Sequence, residues 1–459
     1  MKQKIIIYSN LKYNILKIKL LFFIIYIIII LNKKYPIYNL NEYYLDIQRK
    51  LNLTFYKKIK YKIKIGLYSI ALKNGGRSRI TSILINHLSK IKIFKIFSFT
   101  QRCRESNEYE IPENTKRIII KNNLIQIIKI YKINILIYQL TDIDEITKLN
   151  NLKKIKIIYY PHCSFFFWLY LNYANFKYIY KAFRTSKYII SLVPLENYYL
   201  FKKWKINSIL MDTFITYEYN KVIPSSLSSK TILMIGRGED RLKRFELGIE
   251  AMKYIIKEIP ECKMNFISDL KGISYLQDLV KKLNLEKNVN FLGYTLTPEI
   301  YFKNASLHIF PSISESFGLV LCETKIYGIP TILLGLDYVS ISRGGTIIIY
   351  DDNPIQISIE AIKILNNDTY RKKLGKEAKK SMKKFNNELL VKKWIKLILS
   401  VYNGDYYYNS LKKEDEKIHK NELFKMLKNQ IMLLKKRKPN FENINTNNII
   451  NFSYLEQLE

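Results

Sequence analysis

From about Tyr61 onward, short Ile-rich apolar runs alternate with longer stretches in which apolar residues return every third or fourth position. The first texture belongs to buried strands and the second to helices that pack on one face. Residues 62–69 (KIKIGLYS) predict a strand and Ile80 to Leu88 a helix; IFKIFSF, KRIII, INILIYQL, IKIIYY and KYIISLV predict further strands with helical or loop segments between. Such alternation favours βα units on a mostly parallel sheet. The stretch Pro224-Ser225-Ser226-Leu227-Ser228-Ser229 reads as a linker. The rhythm then restarts, with TILMIG, KMNFIS, VNFLG, SLHIFPS, TILL and TIIIYDD as strands.

Two successive α/β units of similar size, 61–224 and 230–402, predict two Rossmann-like lobes facing a central cleft. Ahead of them, residues 1–60 form an extension in which Leu20 to Leu31 (LLFFIIYIIIIL) is unbroken apolar, between Lys17, Lys19 and Lys33, Lys34. Twelve helical residues reach about 18 Å against a hydrocarbon core of ~30 Å, so a span must start near Ile15 with lysines snorkelling. A signal-anchor, a cleaved signal and an interfacial or buried helix all fit the run. Membrane association, as a single pass through residues 15–31, is the expectation, because Lys33-Lys34-Tyr35-Pro36 makes a poor cleavage site. Lysines flank the run too evenly to orient it. Residues 405–459 read as a basic extension, with Phe424, Leu427, Ile431 and Leu434 at helical spacing and an Asn-rich disordered tail from Pro439.

Composition trims the options. Of 459 residues 48% are hydrophobic, which excludes wholesale disorder. Four scattered Cys without a Cys-x-x-Cys pair exclude a disulfide scaffold and a structural zinc module. The formal net charge of +37 would suit nucleic acid or an anionic surface. Ile, Asn, Lys and Tyr are inflated throughout, however, and no zinc-finger spacing or RNA-recognition signature accompanies the charge, so no nucleic acid partner is expected. Glycine is scarce, 15 in all, and its clusters mark the chemistry.

One cluster follows TILMIG directly: Gly236-Arg237-Gly238-Glu239-Asp240-Arg241-Leu242-Lys243-Arg244-Phe245. Glycines at a strand's carboxyl end let backbone amides approach an anion, and Arg237 and Lys243 add fixed positive charge. A diphosphate fits such a loop, and so does an ordinary tight turn with surface bases. A second segment narrows the choice. After the buried-strand pattern SLHIFPS come Glu315, Ser316-Phe317-Gly318-Leu319, Glu323 and then Tyr327-Gly328-Ile329-Pro330. A helix starting near Gly318 places Glu315 in the loop before it and Glu323 inside it, about 12 Å further on. Free amides between two carboxylates suit a sugar-diphosphate-nucleoside, with hexose at Glu315, diphosphate at Phe317 to Leu319 and ribose at Glu323.

These residues resemble the retaining GT-B glycosyltransferases of the group 1 type: Glu315 and Glu323 in an E-x7-E pattern, Gly236-Arg237 with Lys243-Arg244, and the following YGIP. The resemblance runs over roughly residues 62–402 and is strongest from 231 to 335. It implies a donor lobe at the C-terminal side, with Arg237 and Lys243 neutralising the leaving diphosphate and Glu315 at the transferred sugar. It further implies that Gly75-Gly76 approach the donor, that Arg79 fills the basic position ending that loop, and that His162 lies near the sugar. Two departures stand out: the spacing from Arg237 to Lys243 is slightly long, leaving Lys243 and Arg244 both eligible for the phosphate, and Ser316 occupies a position usually Gly or Ala.

Thr141-Asp142-Ile143-Asp144 resembles an Asp-x-Asp metal motif, but at a strand-to-helix junction Asp142 or Asp144 suits an N-cap, and no metal or other cofactor is expected. The expected activity is transfer of a hexose from a nucleotide-diphosphate-sugar donor, with retention, to a glycan, lipid-linked or protein acceptor. The rival expectations are a sugar-nucleotide epimerase or hydrolase on the same scaffold and a catalytically silent membrane-tethered partner subunit.

Overall fold

A computed structural model describes residues 62–405, apart from 74, 103–107, 122, 166–167, 169–175, 296, 337 and 339–342, together with Asn429. The apolar run at 20–31, the span considered over 15–31 and the basic extension lie outside the described residues, Asn429 and the first residue of that extension excepted. Among the described residues, 63–89 and those from 94 onward group as one compact unit, which holds both sheets described below, and 62 with 90–93 falls in a second.

The first half runs β1 (Ile63–Ser69), α1 (Gly76–Leu88), β2 (Phe94–Thr100), β3 (Lys116–Ile119), α2 (Leu124–Ile130), β4 (Ile135–Tyr138), α3 (Ile143–Asn150), β5 (Lys156–Tyr159), α4 (Phe176–Thr185), β6 (Tyr188–Ser191), α5 (Pro194–Trp204) and β7 (Ile209–Leu210). These strands form a parallel sheet in the order β3-β2-β1-β4-β5-β6-β7. All four residues of β4, Ile135 to Tyr138, are buried, as expected of a central strand with covered faces. That is why the strand reads as a continuous apolar run and not as an alternation.

The second half runs β8 (Thr231–Ile235), a 3-10 turn (Arg241–Lys243), α6 (Phe245–Glu258), β9 (Lys263–Ile267), α7 (Ser274–Lys282), β10 (Val289–Phe291), α8 (Glu299–Phe302), β11 (Leu307–Phe310), α9 (Leu319–Ile326), β12 (Thr331–Leu334), β13 (Thr346–Ile349), α10 (Pro354–Asn366), α11 (Asp368–Met382) and α12 (Asn387–Asn403). Its parallel sheet has the order β10-β9-β8-β11-β12-β13. The last helix returns to the first sheet: the Trp394 ring lies 5.5 Å from Tyr160, and Lys156 Nζ donates to the carbonyl of Tyr402 at 2.6 Å.

Three local readings change. The first helix begins at Gly76 and not at Ile80, because its opening turn is polar and no side chain caps it; the amide of Arg79 closes that turn on Gly75 at 3.2 Å. The strand β7 has two residues, too few to show a period. The Pro224–Ser229 stretch is bound to the second half and does not hang free. Ser225 Oγ donates to the carbonyl of Ala305 at 2.6 Å, and the buried Arg371 donates Nε to the carbonyl of Leu227 at 2.8 Å. Among the described residues, no helix is long and apolar enough to cross a membrane.

Candidate active site

In each sheet the strand order reverses once, between β1 and β4 in the first and between β8 and β11 in the second. Loops leaving such neighbouring strands diverge and open a crevice at their carboxyl ends. The segments singled out for chemistry, Gly75-Gly76, Gly236 to Lys243 and Glu315 to Leu319, lie in the loops after β1, β8 and β11 or just inside the elements that follow.

After β8 the chain turns tightly. Gly238 donates its amide to Ser268 Oγ at 2.7 Å, and a Cβ at Gly238 would collide with Ile273. Asp240 caps the 3-10 turn by accepting from the amide of Leu242 at 3.1 Å, and it also holds Arg237 Nη2 at 2.9 Å. The carbonyl of Leu242 accepts from the amide of Ile313 at 2.9 Å, which ties this loop to the one after β11. Lys243 Nζ therefore meets Glu315 Oε1 at 2.5 Å, with the two side chains 17% and 12% exposed.

Lys243 and Arg244, equivalent on the sequence, take opposite paths. Arg244 adopts a left-handed backbone with φ 53, and its buried guanidinium bonds Glu246 at 2.6 Å and Asp352 at 3.0 Å. Its charge is used inside the second half, and only Lys243 faces Glu315. Arg237, 66% exposed, pairs with Asp240.

Beyond Glu315, Phe317 buries its ring 5.6 Å from Phe385, so it offers the site only its backbone. Gly318 starts α9 at φ 77, a left-handed conformation that glycine adopts without strain. The first amides of a helix have no partner within it, and those of α9 stand between the two glutamates. A Cβ on Gly76 would lie 3.0 Å from Leu319 Cδ1, so the Gly-Gly loop abuts the start of α9.

Glu323 is 5% exposed and is held from the other sheet. Arg79 of α1 donates to its Oε1, and Thr216 Oγ1 donates to the same oxygen at 2.6 Å. Arg79 also bonds Thr216 at 3.2 Å and contacts Tyr109 at 3.4 Å. Burial pushes the Glu323 carboxyl above the ordinary carboxylate range, against the pull of Arg79 and Thr216. This clasp was not legible beforehand. Arg79 stood out as a basic residue near a glycine loop, but nothing near it in sequence indicates a partner 244 positions away.

His162 is buried, its ring 4.1 Å from that of Tyr160 and its Nε2 without a hydrogen-bond partner. It is not hydrogen-bonded to Glu315; its carbonyl accepts from Arg77 Nη2 at 3.3 Å. Burial, aided by Arg77, lowers its pKa to about 3, and burial beside Lys325 does the same for His308, whose Nδ1 lies 2.9 Å from Thr324 Oγ1. Both imidazoles are therefore neutral across physiological pH. Their ring-proton NMR shifts should stay flat from pH 8 to pH 5; a midpoint near 6.5 for His162 would contradict the burial. Asp142 caps α3, accepting from the amide of Glu145 at 2.9 Å, and this uses it structurally.

The model of the glycosyl transferases group 1 family matches residues 217–381. An uncharacterized glycosyltransferase of Haemophilus influenzae is 26% identical over 157 residues, 33% of this chain and 43% of that protein. The poly(ribitol-phosphate) alpha-N-acetylglucosaminyltransferase of Staphylococcus aureus is 24% identical over 164 residues, 34% of this chain and 33% of its own. The aligned part thus spans less than half the length of these relatives. The sucrose-phosphate synthase structure from Thermosynechococcus elongatus superposes with a TM-score of 0.64 at 16% identity, over 75% of this chain and all of that one. Residues 217–381 thus match the group 1 glycosyltransferase family, and the chain, with its two doubly wound sheets, has the GT-B fold.

Proposed function

We propose that the chain transfers a hexose from a nucleotide-diphosphate-sugar to an acceptor hydroxyl with retention of configuration. The observation that carries this reading is the Lys243–Glu315 pair at the carboxyl end of the second sheet, one turn of backbone from the amides of α9. Breaking the bond from sugar C1 to the phosphate oxygen leaves negative charge on the diphosphate. Lys243, Arg237 and the amides of Phe317, Gly318 and Leu319 supply fixed positive potential where that charge grows, with no metal required. A diphosphate drawing the Lys243 ammonium releases Glu315 to accept a sugar hydroxyl. Gly75, Gly76 and Gly236 let backbone approach the donor, Glu323 takes the ribose, and His162, neutral, serves as a hydrogen-bonding group beside the sugar.

In this reading residues 61–224 form the acceptor lobe and 230–402 the donor lobe, and the segment 15–31, with its apolar run at 20–31, holds the enzyme at a membrane where an amphiphilic acceptor would be met. The acceptor attacks from the face the diphosphate leaves, so no covalent nucleophile is needed. The name of the Staphylococcus aureus relative records an alpha linkage, which is the retained configuration when the donor sugar is itself alpha-linked to its diphosphate.

The test is nucleotide release from UDP-, GDP- and ADP-sugars by the full chain, with and without EDTA. One nucleotide should be released, insensitively to EDTA, and Glu315→Ala and Arg237→Ala should each abolish it. The anomeric signal of the product should match that of the donor. No release and no donor binding by folded protein would overturn the proposal.

A further inference from the structure

The first turn of α1 carries a second cation, Arg77, whose surroundings differ from those of the arginines held in ion pairs. Arg79 pairs with Glu323, Arg117 with Glu108, Arg244 with Glu246 and Asp352, and Arg371 with Asp368. Arg77 is half-buried, yet among the described residues its guanidinium has no carboxylate partner and donates to the carbonyl of His162. A guanidinium cannot shed its proton to relieve burial, so an uncompensated one is costly.

Tyr138, Tyr159 and Cys163 lie beside Arg77. The Tyr138 hydroxyl is committed to Glu145 Oε2 at 2.7 Å, whereas the fully buried Tyr159 hydroxyl has no partner. The Nε2 of Gln139, which leads out of β4, and the Nε2 of His162 are also buried and unpartnered. Buried polar atoms in native proteins rarely stay unpaired, so a guanidinium without a carboxylate and unpartnered polar atoms on residues of the same region favour an added anionic group here. The positive end of α1, a helix of 13 residues, adds to the same potential. Arg77 adjoins Gly76, which abuts Leu319 at the proposed diphosphate site, but it belongs to the other sheet.

We propose that Arg77 binds an anionic group, a carboxylate or a phosphate monoester, carried by the acceptor. The inference rests on the transferase reading above and narrows it to acidic acceptors. In the step it serves, the acceptor oxygen bonds to sugar C1, the bond from C1 to the phosphate oxygen breaks, and the hydroxyl proton leaves with the nucleotide diphosphate.

The test compares kcat/KM for glycerol 3-phosphate, L-malate and glycerol as acceptors, using the full chain and whichever donor it cleaves. The wild type should prefer at least one anionic probe over glycerol by about tenfold or more, the worth of a charge-assisted hydrogen bond. Arg77→Gln should bring that ratio close to one, and Arg77→Lys should keep part of it. Because the readout is a ratio, a loss of folded protein does not mimic it. A wild type without preference, or an Arg77→Gln variant that keeps the preference, would overturn the proposal. Absence of nucleotide release with every donor would instead remove the transferase reading, and this inference with it.

Discussion

Replacing Lys243 with Met should lower kcat/KM for donor turnover by about 10²–10³-fold, the usual cost of removing one preorganised group that meets charge developing in a transition state. On the role proposed for it, the ammonium would be matched to the departing diphosphate more than to the bound donor, so the loss should appear mainly in kcat. Glu315→Gln should lower the rate for a different reason: the amide keeps a hydrogen-bond acceptor for the sugar but leaves the ammonium without its counter-charge. Since the two side chains bond each other at 2.5 Å, their substitutions share one interaction, and the double variant should lose less than the product of the two single effects. Single-turnover release of nucleotide from all three variants measures this. Arg244→Met supplies the contrast. Its guanidinium is buried against Glu246 and Asp352, so its removal should lower stability and leave kcat within a few-fold. Equal kinetic losses for Lys243→Met and Arg244→Met would contradict the division of labour between the two cations.

That division shows where sequence reasoning stops. Buried parallel strands announce themselves, because an Ile-rich run such as Ile135 to Tyr138 has no polar face to confuse the period. The loop segments were legible for a related reason: glycines are scarce in this chain, so Gly75-Gly76, Gly236 and Gly318 mark the turns after β1, β8 and β11. Side-chain direction is not written locally. Lys243 and Arg244 are adjacent and alike, and only the left-handed backbone at Arg244 sends the latter's charge toward Asp352. Likewise Glu323, read as a ribose ligand, carries a second commitment that depends on α1 and on Thr216 reaching it from far along the chain.

Arg79→Met should destabilise the protein by about 3 kcal/mol at pH 8, the low end for orphaning a buried charge, since the Arg79 side chain is itself 30% exposed. The pH dependence identifies the cause. Burial already raises the folded-state pKa of Glu323 above its ordinary 4.5, so stability tied to this group is fully present below that value and is lost as pH rises through the raised one. Removing Arg79 takes away the largest influence that keeps the pKa down, which moves the folded value further up and widens the window of loss. The stability deficit of Arg79→Met relative to wild type should therefore shrink as pH falls from 8 toward 5, where a protonated Glu323 no longer needs a cation. Urea unfolding at pH 5, 7 and 8 reads this directly. Glu323→Gln in the Arg79→Met background should restore most of the stability at pH 8, because a neutral amide can keep the Thr216 bond without a counter-ion. A deficit that is constant with pH, or one that Glu323→Gln leaves untouched, would assign the effect to lost packing against Tyr109 and not to the ion pair. The same clasp bears on donor binding: both protein bonds use Oε1 of Glu323, so a ribose hydroxyl offered to Oε2 would meet a carboxylate already fixed in direction and charge.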